Sequence, residues 1–207
     1  MKDWEQRTYA GVYKVPGAAG STSITVMMPQ NRFYSMPPAL HTERLALNTF
    51  TEDDAAELHE LFADPRTHTT GSGPFTALAQ TTRWIANRVA TQRDHGLCWY
   101  ALRRTDTDQL IGNCGLFPGR TGYAEPEIGY LIAEEHRGLG YAAEAVAAVL
   151  RHCRAAGLRR VWASIRPRNA ASLRVAESAG MGLDHVETDE RGDLLLYVID
   201  LAPATTG

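Results

Sequence analysis

The 207-residue sequence has few cysteines, and none of them are close together. Cys98, Cys114 and Cys153 form no Cys-x-x-Cys pair, which argues against a zinc knuckle and a redox dithiol. Each cysteine lies in an apolar stretch and is predicted to be a small core residue. We therefore expect no metal site and a reducing compartment, the cytoplasm.

Long hydrophobic runs and an excess of basic charge are also missing. The most apolar window, residues 142–150, is short and contains Glu144, so no membrane-spanning helix is predicted. The first ten residues include Asp3 and Glu5 and lack the apolar run of a signal peptide. A formal net charge of −3 argues against nucleic acid as the main partner, because phosphate-binding proteins usually carry a basic excess.

Residues 1–40 differ in composition from the rest of the chain and are predicted to form an N-terminal arm. The arm contains a linker-like segment at residues 17–23 and the stiff segment Met36-Pro37-Pro38. Beyond it, the hydrophobic pattern gives the order strand, two helices, three strands, helix, strand, helix and two strands. This order predicts one α/β (α+β) domain over residues 41–204, with helices on the faces of a mixed sheet.

The most informative segment joins a predicted strand at residues 127–132 to a long helix that begins near Gly140. Gly138 and Gly140 carry no side chains, so backbone N–H groups can approach an anion, and the helix N-terminus adds partial positive charge. A simple tight turn is the alternative. A dinucleotide fingerprint is disfavoured, because five residues separate the strand from the glycine loop and no acid ends the next strand.

Two blocks of sequence extend this interpretation, in an order that places a helix and a strand between them. They are Arg137-Gly138-Leu139-Gly140-Tyr141-Ala142 and Asn169-Ala170-Ala171-Ser172, with a weaker third block at Thr42-Glu43-Arg44-Leu45. Together they resemble the GNAT acetyltransferase superfamily, in particular its ribosomal-protein alanine acetyltransferase (RimJ/RimL-like) branch, over roughly residues 42–201. The resemblance implies the GNAT fold: a mixed, mostly antiparallel sheet of about seven strands flanked by about four helices.

The resemblance also implies an acetyl-CoA site. The main chain of Tyr130, Leu131 and Ile132 would hold the pantetheine arm, with an amide near Leu131 polarising the thioester carbonyl. Asn169 would contact the same arm, or serve only as a helix N-cap. The diphosphate would be held by Arg137, Gly138, Leu139, Gly140, Tyr141 and Ala142.

For catalysis the resemblance favours Glu127 as the base that accepts the proton of the amine, directly or through water. Glu125 and His136 are the reserve candidates. Many relatives carry a tyrosine acid where this chain has Ala176, which excludes that acid here. Ser172 is therefore the predicted acid for the departing thiolate, with water as the alternative.

The acceptor site is expected in the glycine-containing loop between the first two helices, where His68 and Phe75 would face the amine. The predicted reaction is direct transfer of an acetyl group from acetyl-CoA to a primary amine in a ternary complex. The acceptor is either a protein N-terminus or a small amine. A non-catalytic CoA-binding regulator, or use of a longer acyl-CoA, is the alternative. We expect a monomer or a homodimer.

Overall fold

The computed structural model describes residues 34–67 and 73–201. The predicted His68 and most of the N-terminal arm lie outside the described residues. Four α-helices are present in the described part: α1 Ala55–Ala63, α2 Leu78–His95, α3 Tyr141–Ala155 and α4 Ala170–Ser178. The strands are β1 Ala39–His41, β2 Leu45–Thr49, β3 Trp99–Arg104, β4 Leu110–Phe117, β5 Glu127–Ile132, β6 Arg160–Ile165, β7 Gly182–Asp189 and β8 Gly192–Asp200.

The strands form one sheet in the order β1-β2-β3-β4-β5-β6-β8-β7. Every neighbouring pair is antiparallel except β5 and β6, which are parallel. The predicted mixed, mostly antiparallel sheet with four helices is confirmed. The structure has eight strands rather than about seven, because the short strand β1 precedes the first strand expected from the sequence.

Two hydrophobic layers cover opposite faces of the sheet. Alternation along β3 illustrates the division: Tyr100 and Leu102 belong to one buried cluster, whereas Trp99 and Ala101 belong to the other. The first cluster includes Val146 and other buried residues of α3, and the second includes buried residues of α1 and α2. The sheet therefore separates an α3/α4 side from an α1/α2 side.

Helix α3 forms because its apolar residues recur at helical spacing on one face. Val146, Val149 and Cys153 are fully buried against the sheet. The helix ends before Gly157, whose φ of +83° suits a residue without a side chain. All three cysteines are buried, as predicted for core residues.

Residues 34–40 belong to the folded domain. Tyr34 and Met36 are buried in the core cluster on the α3 side, and the Tyr34 N–H donates to His95 C=O at 2.9 Å. The Tyr34 hydroxyl donates to Ala124 C=O at 3.0 Å. These contacts attach the chain before β1 to the end of α2 and to the loop before β5.

Two kinds of feature are absent from residues 34–67 and 73–201. None of the helices there combines the length and hydropathy needed to cross a bilayer. The same residues contain no cluster of three or more His, Cys, Asp or Glu side chains suited to holding a metal ion.

Candidate functional site

The sheet opens between β5 and β6. These parallel strands pair at a single position, Glu127 with Trp162, and the Trp162 N–H donates to Pro126 C=O at 2.9 Å. On its other edge, β6 pairs along its whole length with β8. On its other edge, β5 pairs along its whole length with β4. The edge of β5 that faces β6 therefore lacks a strand partner from Ile128 onward, and an extended ligand can hydrogen-bond there.

The direction of the peptide groups along β5 follows from one hydrogen bond. The Ala133 N–H donates to Ile111 C=O of β4 at 2.9 Å. Peptide groups of an antiparallel strand alternate in direction, so those of Leu131 also point toward β4, whereas those of Tyr130 and Ile132 point into the opening. The Ile132 C=O accepts a hydrogen bond from Arg137 Nε at 3.0 Å. The main chain of Tyr130 is thus left to face a ligand.

The predicted phosphate loop lies at the mouth of the opening. Gly138 and Gly140 have φ values of +76° and +84°, which favour glycine strongly. An ideal Cβ on Gly138 would meet no atom within 4 Å, so there is open space in front of it. Among described residues, no acceptor engages the backbone N–H groups of residues 138–143. Six amides without an acceptor at a helix N-terminus, beside the open space at Gly138, fit a diphosphate group.

Arg44, from the N-terminal part of the domain, holds this loop in place. Its NH1 donates to Leu139 C=O at 2.9 Å, and its NH2 lies 2.6 Å from a carboxylate oxygen of Glu144 in the first turn of α3. The Arg44 guanidinium also lies over the Tyr141 ring, at 4.6 Å from the centroid. The side chain of Tyr141 is buried in the core cluster on the α3 side, so only its backbone is available to a ligand.

Arg137, the predicted charged partner of the diphosphate, has two other partners in the structure. Besides Ile132 C=O, its guanidinium donates to Thr67 C=O at 2.7 Å. The side chain thus links the end of β5 to the segment after α1. Because these N–H groups of Arg137 already have acceptors, we expect the side chain to support the shape of the phosphate loop.

Glu127 lies where β5 and β6 meet, and its side chain is only 3% exposed. Its Oε1 accepts the Arg120 N–H at 2.5 Å, and its Oε2 accepts the Ser164 hydroxyl at 2.7 Å. A Cβ on Gly119 would overlap the carboxylate, so the loop at residues 118–126 covers it closely. Since Ser164 is only half-buried, its hydroxyl connects the buried carboxylate to the opening.

The two reserve candidates for the base have different surroundings. Glu125 accepts a hydrogen bond from the Trp162 indole at 2.8 Å and lies 3.7 Å from Arg160. His136 is buried before α3, where its ring packs edge-on against Tyr141 at 6.3 Å. None of these contacts involves the Glu127 carboxylate.

Helix α4 faces β5 across the opening, and Ser172 lies in its first turn. Asn169 is the N-cap of α4, since its Oδ1 accepts the Ser172 N–H at 3.2 Å. The Tyr130 hydroxyl crosses from β5 and donates to Ser172 C=O at 3.1 Å. Burial raises the pKa of Tyr130 to about 12, so this hydroxyl keeps its proton at neutral pH. Tyr130, Asn169 and Ser172 therefore line one wall together.

The family model for an acetyltransferase (GNAT) domain matches residues 44–182 of this chain. The chain belongs to the GNAT acetyltransferase family. Residues 44–182 include the opening, the phosphate loop, Glu127 and Ser172.

Sequence and structure comparisons agree with a GNAT domain. The chain is 32% identical over 148 residues to the uncharacterized N-acetyltransferase YoaA of Bacillus subtilis (strain 168), covering 70% of this chain and 83% of that protein. An acetyltransferase of known structure from Agrobacterium tumefaciens str. C58 is 30% identical, with a TM-score of 0.66, over 82% of this chain and 97% of that chain. RimL, a ribosomal L7/L12 alpha-N-protein acetyltransferase solved with coenzyme A, is 18% identical and shares the fold with a TM-score of 0.69, over 80% of this chain and 97% of that chain.

The α1/α2 side of this GNAT domain carries an aromatic cluster beside the opening. Phe75, predicted to face the amine, packs edge-on against Phe62 at a centroid distance of 5.0 Å. Trp84 contacts both Phe62, at 5.0 Å, and Trp99, at 5.4 Å. Phe75 and Trp84 remain partly exposed, so the cluster presents aromatic surface on the same side of the sheet as Glu127.

Sequence reasoning missed three side chains of the GNAT site. Arg44 was noticed only as part of a weak motif, Tyr130 was expected to act through its main chain alone, and Ser164 was not considered. Ser164 lies 37 positions from Glu127 in the chain, and Arg44 lies 95 positions from Leu139. No local pattern links such pairs. The alternation of β6, which buries Val161 and Ala163 on the α3 side, is the signal that would place Ser164 on the Glu127 face.

Proposed function

We propose that this protein is an N-acetyltransferase that moves the acetyl group of acetyl-CoA to a primary amine by direct attack within a ternary complex. The opening between β5 and β6 carries the proposal, because it joins an unpaired strand edge to a phosphate loop at the start of α3. The resemblance to RimL, a protein solved with coenzyme A, supports the choice of cosubstrate. The Asn169 to Ser172 motif supports placement in the RimJ/RimL-like branch.

The cosubstrate would bind with its diphosphate at the amides of residues 138–143 and its pantetheine arm along β5. In this arrangement the main chain of Tyr130 binds the arm as an added strand would, and its N–H can polarise the thioester carbonyl. The loop amides are already in position, so binding requires little reorganisation of the backbone. Acetyl-CoA supplies the activated acyl group, and the protein supplies its orientation.

Proton transfer is assigned to the two ends of the opening. Glu127 accepts the proton of the attacking amine, and Ser164 is placed to relay it because its hydroxyl is bonded to the carboxylate and reaches the opening. Ser172 gives a proton to the departing sulfur. Tyr130 positions Ser172 through the hydrogen bond from its hydroxyl to the Ser172 carbonyl, and the raised pKa of Tyr130 keeps that donor proton in place at neutral pH.

The acetyl group is favoured over a longer acyl chain by the crowding of β5. Gly129 lies in the middle of this strand, and an ideal Cβ there would be 2.7 Å from the Trp99 ring and 3.3 Å from the Phe117 ring. The aromatic side chains therefore leave little depth beside the strand. We infer that an acyl chain extending in this direction would meet them.

The decisive experiment measures release of free CoA thiol from acetyl-CoA with a panel of primary amines, together with intact mass of the acceptors. The panel contains amino acids, polyamines and peptides with free N-termini. Thiol release that depends on an amine, with a gain of one acetyl group on that amine, would support the proposal. CoA binding without acetylation of any member would point instead to a regulatory protein, and faster reaction with a longer acyl-CoA would replace the acetyl assignment.

A further inference from the structure

Arg88 of α2 lies with its guanidinium against three aromatic rings. The distance from its Cζ to the ring centroid is 4.8 Å for Trp84, 4.6 Å for Trp99 and 6.0 Å for Phe117. Aromatic rings attract a guanidinium through its flat face. The N–H groups lie in the guanidinium plane, where they can bind a planar anion through two parallel hydrogen bonds.

Arg88 has no anionic partner among the described residues. Its Nε is buried and has no acceptor, and burial lowers the pKa of the guanidinium to about 10. The group is still charged at neutral pH, and its Nε–H is a buried donor without an acceptor, which is unfavourable. Eight other described arginines do form ion pairs: Arg44, Arg66, Arg93, Arg103, Arg104, Arg120, Arg160 and Arg166.

The rings beneath Arg88 are those that cover β5. Trp99 and Phe117 both approach Gly129, at 2.7 Å and 3.3 Å from the position of an ideal Cβ. Glu127 and Gly129 share one face of the strand and are separated by about 6.6 Å along it. The rings of Trp99 and Phe117 therefore lie between Arg88 and β5, the strand that carries the proposed base Glu127. An acceptor with its amine near Glu127 would extend past these rings.

The loop before β5, residues 118–126, also contacts α2. Tyr123 of this loop stacks on His95, with ring centroids 3.6 Å apart. His95 follows Arg88 by seven residues, so the two side chains lie on the same face of α2, about two turns apart. The Nδ1 of His95 is likewise buried without a hydrogen-bond partner. Two nitrogen-containing side chains with unsatisfied atoms, Arg88 and His95, thus lie on one face of α2.

We propose that Arg88 binds a carboxylate group of the acceptor, so that the acetylated amine belongs to an amino acid or to the N-terminus of an acidic peptide. The fork of N–H groups matches the geometry of a carboxylate, and the aromatic rings accommodate the hydrocarbon part of the acceptor. This inference rests on the proposed function, because the position of the acceptor is taken from the proposed site of attack.

The test uses acetylated products, which carry no titrating amine and bind whether or not the enzyme turns over. We would titrate the protein with each N-acetyl amino acid and with its α-carboxamide, in saturating CoA, by calorimetry. A second pair, N-acetyl-Ala-Asp-amide and N-acetyl-Ala-Asn-amide, separates peptides from free amino acids. We expect at least one carboxylate to bind about 10- to 100-fold more tightly than its amide.

Arg88→Met should abolish this preference while leaving CoA affinity unchanged. Arg83→Met is the matched control, because Arg83 is an exposed cation on the same helix. Arg88→Met should leave the melting temperature nearly unchanged, because methionine keeps an apolar contact with the rings and removes the buried Nε–H that has no acceptor. Absence of any carboxylate preference, or a preference that persists in Arg88→Met, would overturn the inference. If carboxylates bind through Arg88 but no amine is ever acetylated, the proposed function fails and the carboxylate site stands.

Discussion

Replacement of Glu127 by Gln separates the chemistry of this side chain from its structural contacts. The side-chain carbonyl of the introduced glutamine can still accept the Arg120 N–H, and the Ser164 hydroxyl can rotate to accept from the new amide. The free energy of unfolding should therefore change by less than about 1 kcal/mol. Glu127→Ala removes both hydrogen bonds to the buried carboxylate. At about 1–3 kcal/mol for each donor, it should cost roughly 2–6 kcal/mol of stability.

The effect of Glu127→Gln on turnover should be much larger than its effect on folding. Loss of a positioned base typically lowers rates by about 10²- to 10⁴-fold, which corresponds to about 2.7–5.4 kcal/mol of transition-state stabilisation. The deficit should shrink as pH rises past the pKa of the acceptor amine, about 7.7–8.0 for an α-amino group, because neutral amine then predominates without help.

The assay is initial-rate thiol release between about pH 6 and about pH 10, accompanied by thermal unfolding and CoA titration of each variant. Ser164→Ala is the comparison variant, because it removes the proposed relay and keeps the carboxylate. Wild-type kcat/KM at neutral pH in a folded Glu127→Gln protein would refute the role of Glu127. Loss of CoA affinity in parallel with turnover would show that the residue supports the binding site instead.

Four further changes test other parts of the site. Ser172→Ala should slow thiol release by about tenfold or more with CoA affinity unchanged, and wild-type rates would leave water as the acid. Arg44→Ala should weaken CoA binding about tenfold in calorimetry, because the loop carbonyl loses a charged donor; unaltered affinity would show that the loop holds itself. Gly138→Glu should abolish CoA binding, since it fills the space before the amides and strains a residue with positive φ; retained binding would contradict the loop assignment. The protein lacking residues 1–36 should be less stable than the protein lacking residues 1–33 by roughly 3–6 kcal/mol, because Tyr34 and Met36 are buried; equal melting temperatures of the two proteins would show that these contacts are dispensable.

The parts of the site that the sequence revealed are those formed by adjacent residues. The glycines at 138 and 140, followed at once by a helix, define a backbone conformation and a row of amides with no help from the rest of the fold. Asn169 caps α4 by bonding to the N–H of Ser172, only three positions away. Alternation and helical spacing likewise predicted the strands and helices, because burial of one face acts over a few residues.

The parts that only tertiary structure decided depend on residues far apart in the chain. The separation of β5 from β6 follows from how each strand pairs with its other neighbour, and no segment of sequence records it. The carboxylate of Glu127 is bonded to Ser164, and the hydroxyl of Tyr130 reaches Ser172, only because the sheet brings these elements together. Arg88 is an ordinary helical arginine in the sequence. Its position on aromatic rings, without an acidic partner among the described residues, depends on which face of α2 packs against the sheet, and that face is set by the whole domain.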